Sequence, residues 1–222
     1  MKTKYLVIGA SAAGLTAAQR LAQIDLDGEV ICITDQNELP YNKCLLIDNL
    51  VGKLETSQLY LCNHSELNNR LKLITGTAIV YLDSVNKFVE DSLGNKIFYE
   101  KLLLAIGTQA RSLPESENLK FKNIFYFHTL SDLEKIKNFL AQDQENNKQA
   151  IVFGAGVTGL ECSDALNKLG VRVNIIEARD QILYGMAPEI GSDKVQDLLK
   201  KSGISIATGA SLDLNNCLPE NF

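Results

Sequence analysis

The chain carries one pattern of apolar and polar positions twice, once at its start and once beyond its middle. Each copy is a short apolar run, a glycine-rich turn and a segment with apolar residues at helical spacing, KYLVIGASAAGLTAAQRLAQI from Lys4 and QAIVFGAGVTGLECSDALNKLG from Gln149. A second apolar run follows each helix and ends in an acid, Asp35 in the first copy and Glu177 in the second. The pattern predicts two strand–turn–helix–strand units whose strands are parallel.

The segment between the two copies follows a different pattern. Residues 71–107 alternate short β-rich runs with turn signals, and LGN at 93–95 predicts a hairpin turn. The run TLSDLEKIKNFLAQ predicts a helix, with Ser131 and Glu134 at capping-box spacing. Periodicity is lost over residues 107–123, which predicts a junction there. We therefore expect an α/β protein of two doubly wound Rossmann-like units with a small antiparallel β insertion.

Both turns have the composition of a site for a pair of phosphates. Backbone N–H groups at a helix N-terminus bind such a ligand, and glycine lets the backbone approach it and the helix pack closely on the strand. Gly154, Gly156 and Gly159 complete G-x-G-x-x-G in the second turn, whereas Ser11 takes the middle position of the first turn, residues 9–14. Close packing alone explains a single glycine pattern, but two copies in the same context favour two dinucleotide sites.

An acid that ends the strand after the helix can accept hydrogen bonds from a ribose hydroxyl, and Asp35 and Glu177 stand at that place. The alternative for each is a solvated acid at a strand end. The carboxylate of Glu177 would repel a 2′-phosphate, which favours NADH over NADPH. Arg179, two residues later, leaves acceptance of NADPH open.

Composition and charge limit the range of functions. Lys and Arg number 22 against 27 Asp and Glu, a net charge of −5 without a block of like charge, which argues against nucleic acid and against a membrane as partners. The N-terminal apolar run is shorter than the ~20 residues of a bilayer span. A signal peptide is the alternative interpretation of this run, and the recurrence of its pattern inside the chain disfavours it.

The cysteines and histidines narrow the chemistry further. Five cysteines at irregular spacing form no C-x-x-C pair, which argues against a zinc ribbon and against a dithiol redox motif. With two histidines in the whole chain, we expect no metal site. An odd number of irregularly spaced cysteines fits a reducing compartment, and we expect a cytoplasmic protein.

An ordered set of motifs gives the chain a resemblance to a known family. VIGASAAG, PYNKCLL, TGTAIVYLD, YEKLLLAIGTQAR and VFGAGVTGLE, in this order and spacing, resemble the FAD-dependent pyridine nucleotide–disulfide oxidoreductase superfamily over nearly all 222 residues. Within it, the chain resembles nitrite-reductase-like and rubredoxin-reductase-like NADH oxidoreductases and the NADH oxidase/coenzyme A disulfide reductase group. The resemblance implies an enzyme in which NAD(P)H, preferably NADH, passes a hydride to FAD, and FAD passes electrons to an acceptor or a disulfide.

The resemblance also implies roles for individual residues. It implies an FAD-binding domain over residues 1–115 and an NAD(P)H-binding domain over residues 116–222. The residues implied to bind FAD, with Ile79 near the adenine, are Gly9, Ala10, Ser11, Ala12, Ala13, Gly14, Asp35, Lys43, Ile79, Ala105, Ile106 and Gly107. Those implied to bind NAD(P)H are Gly154, Ala155, Gly156, Val157, Thr158, Gly159, Glu161 and Glu177. The alternative for Lys43 is a solvated loop lysine.

The motif PYNKCLL supports two interpretations of Cys44. As a flavin-flanking motif it resembles P-Y-x-R-P-x-L, with Lys43 for the arginine and Cys44 for the second proline, and the cysteine is then a small apolar filler. By its distance from the first turn, Cys44 resembles the single redox cysteine of NADH oxidases, peroxidases and coenzyme A disulfide reductases, a catalytic nucleophile beside the flavin. Ala12 stands where oxidase and peroxidase members have a histidine, which favours disulfide chemistry over peroxide reduction.

Two departures from the family pattern limit what the resemblance implies. AIG at 105–107 replaces A-T-G, and the sequence stops before the second FAD-contacting segment and the interface domain of family members. We therefore expect a fragment, a disrupted gene product or a chain completed by another polypeptide. The expected partners are a small-molecule or small redox-protein electron acceptor, and a second copy in a homodimer or a complementing chain. The alternative function is a truncated dinucleotide-binding module without turnover.

Overall fold

The computed structural model of the chain describes residues 1–111, 123–142 and 148–210. The chain divides into two compact units, the first made of Met1–Leu45 and Glu55–Gln109 and the second of Leu46–Leu54 and Ala110–Phe222. The expected domain boundary at residues 115 and 116 and the fifth cysteine, Cys217, lie outside the described residues. Among the described residues, no helix is both long enough and apolar enough to cross a membrane.

The first unit is built on a six-stranded sheet with the order β3-β2-β1-β6-β5-β4. Neighbours among β3, β2, β1 and β6 pair in parallel, whereas β4, β5 and β6 form an antiparallel insertion. The strands are β1 Lys2–Ile8, β2 Val30–Ile33, β3 Leu71–Ile74, β4 Ile79–Asp83, β5 Phe88–Asp91 and β6 Lys96–Leu104. Helix α1, Ala12–Ile24, connects β1 to β2 and makes the parallel crossover between them.

Side chains that alternate along the strands send apolar residues to both faces of this sheet. On one face, Val7 and Cys32 pack in a buried core with the apolar side of α1. On the other face, Leu6 and Ile33 pack against buried residues of the antiparallel strands, namely Val89, Ile97 and Tyr99. Both faces of the parallel strands therefore bury apolar side chains, and the carboxyl ends of β1 and β2 lie together at one edge, where the first turn begins.

The second unit contains a three-stranded parallel sheet with the order β7-β8-β9. Its elements are α2 Leu46–Leu50, α3 Leu130–Gln142, β7 Gln149–Phe153, α4 Val157–Lys168, β8 Arg172–Ile176, α5 Glu189–Lys201 and β9 Ser205–Ala207. The core joins Val173, Ile175 and Ile204 to Leu160 of α4, and Ile47 of α2 packs against it. As in the first unit, the glycine turn lies between a strand, β7, and the helix that follows it.

The structure confirms the α/β class with Rossmann-like parallel sheets and confirms the predicted hairpin turn, where Gly94 has φ +81 between β5 and β6. The predicted capping box is wrong. Helix α3 is preceded by Thr129, whose Oγ1 accepts a hydrogen bond from the Asp132 N–H at 3.1 Å, while Asp132 Oδ2 accepts one from the Thr129 N–H at 3.0 Å. Ser131 already lies inside the helix and cannot cap it.

Candidate functional site: two glycine turns

The first turn connects the end of β1 to the start of α1 and requires glycine at two positions. Gly9 has φ +99, a conformation that favours glycine, and a Cβ on it would lie 2.1 Å from the Ala105 carbonyl oxygen. A Cβ on Gly14 would lie 1.8 Å from the Gly9 carbonyl oxygen, so only glycine lets α1 pack this closely on the strand. The Gly9 N–H donates to the Ile33 carbonyl at 2.8 Å, which ties the turn to the end of β2.

The second turn repeats this geometry between β7 and α4. Gly154 has φ +96, and its N–H donates to the Ile176 carbonyl at 2.8 Å. A Cβ on Gly159 would lie 2.0 Å from the Gly154 carbonyl oxygen. A Cβ on Gly154 or Gly156 would meet nothing within 4 Å, so the space above the turn is open. Glycines that leave backbone uncovered in this way fit the close approach of a pyrophosphate.

The middle position of each turn is the N-cap residue of the following helix. Ser11 has φ −76 and ψ −170, and Gly156 has φ −76 and ψ 178, so serine meets no backbone strain where the second turn has glycine. Both segments are described in full, and in them no side chain caps the helix and no acid lies in its first turn. The exposed first turns, Ala12–Ala13 and Val157–Thr158, therefore keep amide groups for an anion.

Glu177 follows β8, and two backbone amides orient its carboxylate. Oε2 accepts a hydrogen bond from the Ala155 N–H at 2.7 Å, and Oε1 accepts one from the Arg179 N–H at 2.8 Å. Each carboxylate oxygen has a further lone pair for another donor. The carboxylate is therefore fixed against the second turn and can accept hydrogen bonds from two neighbouring hydroxyl groups.

Asp35 follows β2 at the corresponding place in the first unit, but its carboxylate lies differently. Its side chain is exposed, and its Oδ1 lies 3.5 Å from the hydroxyl of Thr34. The Thr77 N–H donates to the Thr34 carbonyl at 2.9 Å, which brings the start of β4, with Ile79, beside the end of β2. The structure thus brings the predicted residues Asp35 and Ile79 to one region of the first unit.

A cleft in the first unit brings together three of the predicted residues, Ala10, Ser11 and Lys43. Its other lining residues are Thr34, Gln36, Glu38, Leu39, Pro40 and Tyr41. Asp35 and Cys44 do not line this cleft. Lys43 therefore lines the same cleft as Ala10 and Ser11 of the first turn, and a lysine ammonium group attracts anions.

Cys44 is exposed on the 3-10 turn Lys43–Leu45, and its N–H donates to Asn42 Oδ1 at 3.0 Å. The other described cysteines are free but buried. Burial raises the pKa of the Cys32 thiol to about 12 and that of Cys162 to about 11, and it also raises the pKa of Cys62. Of the described cysteines, Cys44 is therefore the accessible thiol.

The remaining predicted residues directly follow β6 or lie in the first half of α4. The Ala105 N–H donates to the Ile8 carbonyl at 2.8 Å, so Ala105 lies directly beside the first turn. Ile106 and Gly107 follow it and are exposed. Glu161 is exposed on α4, two residues beyond Gly159.

Three residues near these turns were missed in the sequence. Gln36 and Tyr41 line the cleft, and the Tyr41 hydroxyl donates to Gln36 Oε1 at 2.8 Å. Both follow the carboxyl end of β2, where ligands of parallel α/β sheets bind, so their position could have identified them. Tyr184, whose ring centroid lies 5.1 Å from Cζ of Arg179, has no such signal, because a loop brings the two together.

Comparison of the sequence with known protein families identifies one family. The profile described as pyridine nucleotide-disulphide oxidoreductase matches residues 3–216. The epsilon subunit of an NADH-dependent phenylglyoxylate dehydrogenase from Aromatoleum evansii is 28% identical over 209 residues, which cover 94% of this chain and 48% of that protein. A rubredoxin-NAD(+) reductase from Ectopseudomonas oleovorans is 29% identical over 209 residues, with coverage of 93% and 53%. The chain thus spans about half the length of the curated relatives it matches.

Solved structures give the same result for the fold. The covalent putidaredoxin reductase–putidaredoxin complex matches with a TM-score of 0.87 and 25% identity, over 95% of this chain and 51% of that one. NADH:rubredoxin oxidoreductase from Clostridium acetobutylicum matches with a TM-score of 0.79 and 27% identity, over 95% of this chain and 54% of that one. Both matches support the Rossmann-like α/β fold.

Proposed function

The chain belongs to the pyridine nucleotide-disulphide oxidoreductase family, and on that premise we propose that it is an FAD-dependent oxidoreductase that uses NADH. The duplicated turn carries this proposal, because Gly9 with Gly14 and Gly154 with Gly159 make the same close helix–strand contact. Two such turns suit an enzyme that binds two dinucleotides at once. We assign FAD to residues 1–115 and NAD(P)H to residues 116–222.

In the first unit, the chain's own groups bind and orient FAD. The amides of Ala12 and Ala13 donate to the pyrophosphate at the N-terminus of α1, and Lys43 adds a positive charge from the cleft. Asp35 accepts from the ribose and Ile79 lies near the adenine. Support for these two roles comes from their common position at the end of β2. The residues that follow β6, Ala105, Ile106 and Gly107, line the dinucleotide beside the first turn.

In the second unit, residues 154–159 bind the pyrophosphate of NAD(P)H, with the amides of Val157 and Thr158 as donors. Glu161 lies one helical turn further along α4. Glu177 accepts hydrogen bonds from the adenosine ribose, and its two backbone partners hold it in the orientation for this. When both cofactors are bound, the nicotinamide supplies a hydride and the flavin accepts it.

The proposed electron acceptor follows from what the names of relatives specify. Two relatives are named for a small redox protein. One is a rubredoxin-NAD(+) reductase, and the other is a ferredoxin–NAD(+) reductase component. We propose a small redox protein or a small-molecule disulfide for this chain, with Cys44 as nucleophile where the acceptor is a disulfide. We propose a cytoplasmic setting, because the described cysteines are all free thiols. A second copy or a complementing chain is the proposed structural partner.

Reconstitution with FAD tests the proposed function. The purified chain, mixed with FAD and freed of excess ligand, is expected to keep a yellow chromophore that NADH bleaches under anaerobic conditions. Gly14→Ala is the matched control, because its methyl group would overlap the Gly9 carbonyl oxygen and disturb the first turn. A wild-type sample that stays colourless with added FAD would instead support a dinucleotide-binding module without turnover.

A further inference from the structure

The antiparallel insertion of the first unit carries a row of aromatic side chains on its outward side. Phe88 of β5 and Phe98 of β6 are cross-strand partners, and their ring centroids lie 5.6 Å apart. Tyr81 of β4 extends the row, with its ring centroid 6.0 Å from that of Phe88. Tyr81 is exposed over 54% of its surface and Phe98 over 45%. The three rings form one contiguous patch, which we call the aromatic face.

The opposite side of the insertion already supplies its core. Val89, Ile97 and Tyr99 alternate with the outward aromatic residues and are buried against the parallel strands. An antiparallel sheet that buries one side commonly has polar residues on the other, solvated side. Aromatic residues, by contrast, are enriched where one protein binds another. The aromatic face therefore has the composition of a surface that a second polypeptide covers.

Charged groups of both signs border the aromatic face. Lys96 of β6 has its Nζ 4.4 Å from the centroid of the Phe88 ring, and its cross-strand partner on β5 is Glu90. The N-terminal ammonium group of Met1, which precedes β1, donates to the Lys96 carbonyl at 2.8 Å. On the other side of β5, strand β4 ends at Asp83. Positive groups thus lie toward β1 and negative groups toward β4.

We infer that the aromatic face is the interface between two copies of this chain. A two-fold axis that runs along the strands between β5 and β6 exchanges the positions of these two strands. Phe98 of one copy then lies over Phe88 of the second copy. Lys96 of one copy lies over Glu90 of the second copy, and the basic side at β1 meets the acidic side at β4. The aromatic face is therefore complementary to itself, as a two-fold interface requires.

The size of the aromatic face sets the strength of this association. From β1 to β4 it spans four strands about 4.8 Å apart, so it is about 15 Å wide and belongs with the smaller protein interfaces. We therefore expect a dimer that dissociates on dilution. The inference specifies the second copy in the proposed function and rests on that part of the proposal alone, because no residue of the aromatic face is assigned to FAD or NAD(P)H.

Sedimentation velocity of the full chain over a wide range of protein concentration tests the inference. Wild-type protein is expected to shift from monomer to dimer as its concentration rises. Phe98→Ser should raise the dissociation constant of the dimer by at least about tenfold, because it removes an aromatic side chain from the centre of the interface. Leu198→Ser is the matched control, since Leu198 is exposed over 63% of its surface on α5 and should leave the dimer unchanged.

Charge reversal separates a direct contact from damage to the fold. Across the symmetric interface, Glu90→Lys places lysine opposite lysine and Lys96→Glu places glutamate opposite glutamate, so each variant alone should sediment as a monomer. An equimolar mixture of the two variants should form a dimer again, because every lysine then faces a glutamate. Both variants lose the same cross-strand pair within their own chain. Recovery on mixing therefore reports the contact between copies.

Three outcomes overturn the inference. Wild-type protein that stays monomeric at every concentration leaves the aromatic face to a different polypeptide. A dimer that neither Phe98→Ser nor the charge reversals weaken uses another surface. Charge variants that fold, by circular dichroism, but stay monomeric when mixed lack the complementary contact. FAD content is measured in the same wild-type samples. A monomer that retains FAD refutes the inference alone, whereas a dimer that binds no FAD refutes the cofactor assignment alone.

Discussion

At the residue scale, the glycines of the second turn have two separable roles. Gly159 gives the helix its close contact with the strand, since a Cβ there would lie 2.0 Å from the Gly154 carbonyl oxygen. Gly156 borders open space, and its backbone matches that of Ser11 in the other turn. The two positions look alike in G-x-G-x-x-G, and only the geometry separates the packing glycine from the ligand-facing one.

The same substitution at these two glycines should therefore have different effects. Gly159→Ser is expected to lower the free energy of unfolding by about 1–3 kcal/mol, the cost of forcing atoms into a packed contact. Gly156→Ser should stay within about 0.5 kcal/mol of wild type, as a surface substitution without strain does. Denaturant unfolding of both variants measures the difference in their free energies of unfolding. Equal destabilisation would contradict the assignment of separate roles to the two glycines.

Cys44 gives a second prediction at this scale. In native protein, alkylation followed by peptide mass mapping should modify Cys44 before Cys32, Cys62 or Cys162, because burial raises the pKa of those three thiols.

Cys44→Ser should remove NADH-dependent reduction of coenzyme A disulfide but keep reduction of ferricyanide, which needs no thiol nucleophile. If the variant keeps both activities, Cys44 is the apolar filler of the flavin-flanking motif.

At the element scale, α1 is tied to β1 by a charged cluster at its C-terminal end. Lys4 Nζ lies 2.6 Å from Asp25 Oδ2, and the Tyr5 hydroxyl donates to the same oxygen at 2.6 Å. The hydrogen bond from Lys4 has the largest effect and that from Tyr5 the second largest, and they lower the pKa of the Asp25 carboxyl to about 2. The cluster holds the end of the helix over the strand from which the first turn starts.

This cluster predicts a specific acid sensitivity. Because the folded-state pKa of Asp25 is depressed from an unfolded value near 3.8, its stabilisation is present above about pH 4 and is lost as the pH falls toward 2. Asp25→Asn should flatten the fall in stability over that window, as followed by circular dichroism. Asp27→Asn, two residues away, keeps the backbone N–H that donates to Asp25 and should retain the wild-type profile.

The periodic pattern of apolar residues predicted the major helices and strands. Where each element begins and ends depends on tertiary contacts, which that pattern does not encode. The helix predicted over TLSDLEKIKNFLAQ was correct, yet its cap is Thr129 with Asp132, because the helix begins at Leu130 and not after Ser131. Both Thr129–Asp132 and Ser131–Glu134 have the same spacing in the sequence. Which pair acts depends on where the backbone turns, and that is set by packing of Leu130 and Leu133 in the core.

At the scale of the whole molecule, the parallel pairing of the strands around each turn followed from the repeated pattern, but the placement of one segment did not. Residues 46–54 follow Leu45 directly and nevertheless belong to the second unit. Within that unit, Lys137 Nζ donates to Oδ1 of the buried Asn49 at 2.6 Å, and Ile47 packs on the core. The two partners are 88 residues apart, so no local pattern indicated the contact. The contact of the loop that carries Tyr184 with the second turn, where the Leu183 N–H donates to the Ala155 carbonyl, was unpredictable for the same reason.

We propose that the first turn binds FAD and that the second binds the nicotinamide cofactor that reduces it. Gly156→Val tests this most directly, because the new side chain fills the open space above the second turn while its backbone stays extended. Anaerobic stopped-flow spectroscopy would follow flavin reduction by NADH in wild type and variant after their FAD content is measured. We predict equal FAD content and at least about tenfold slower reduction at limiting NADH, the effect of roughly 1.4 kcal/mol of lost binding. Loss of FAD from the variant, or an unchanged reduction rate, would contradict the assignment of the two turns.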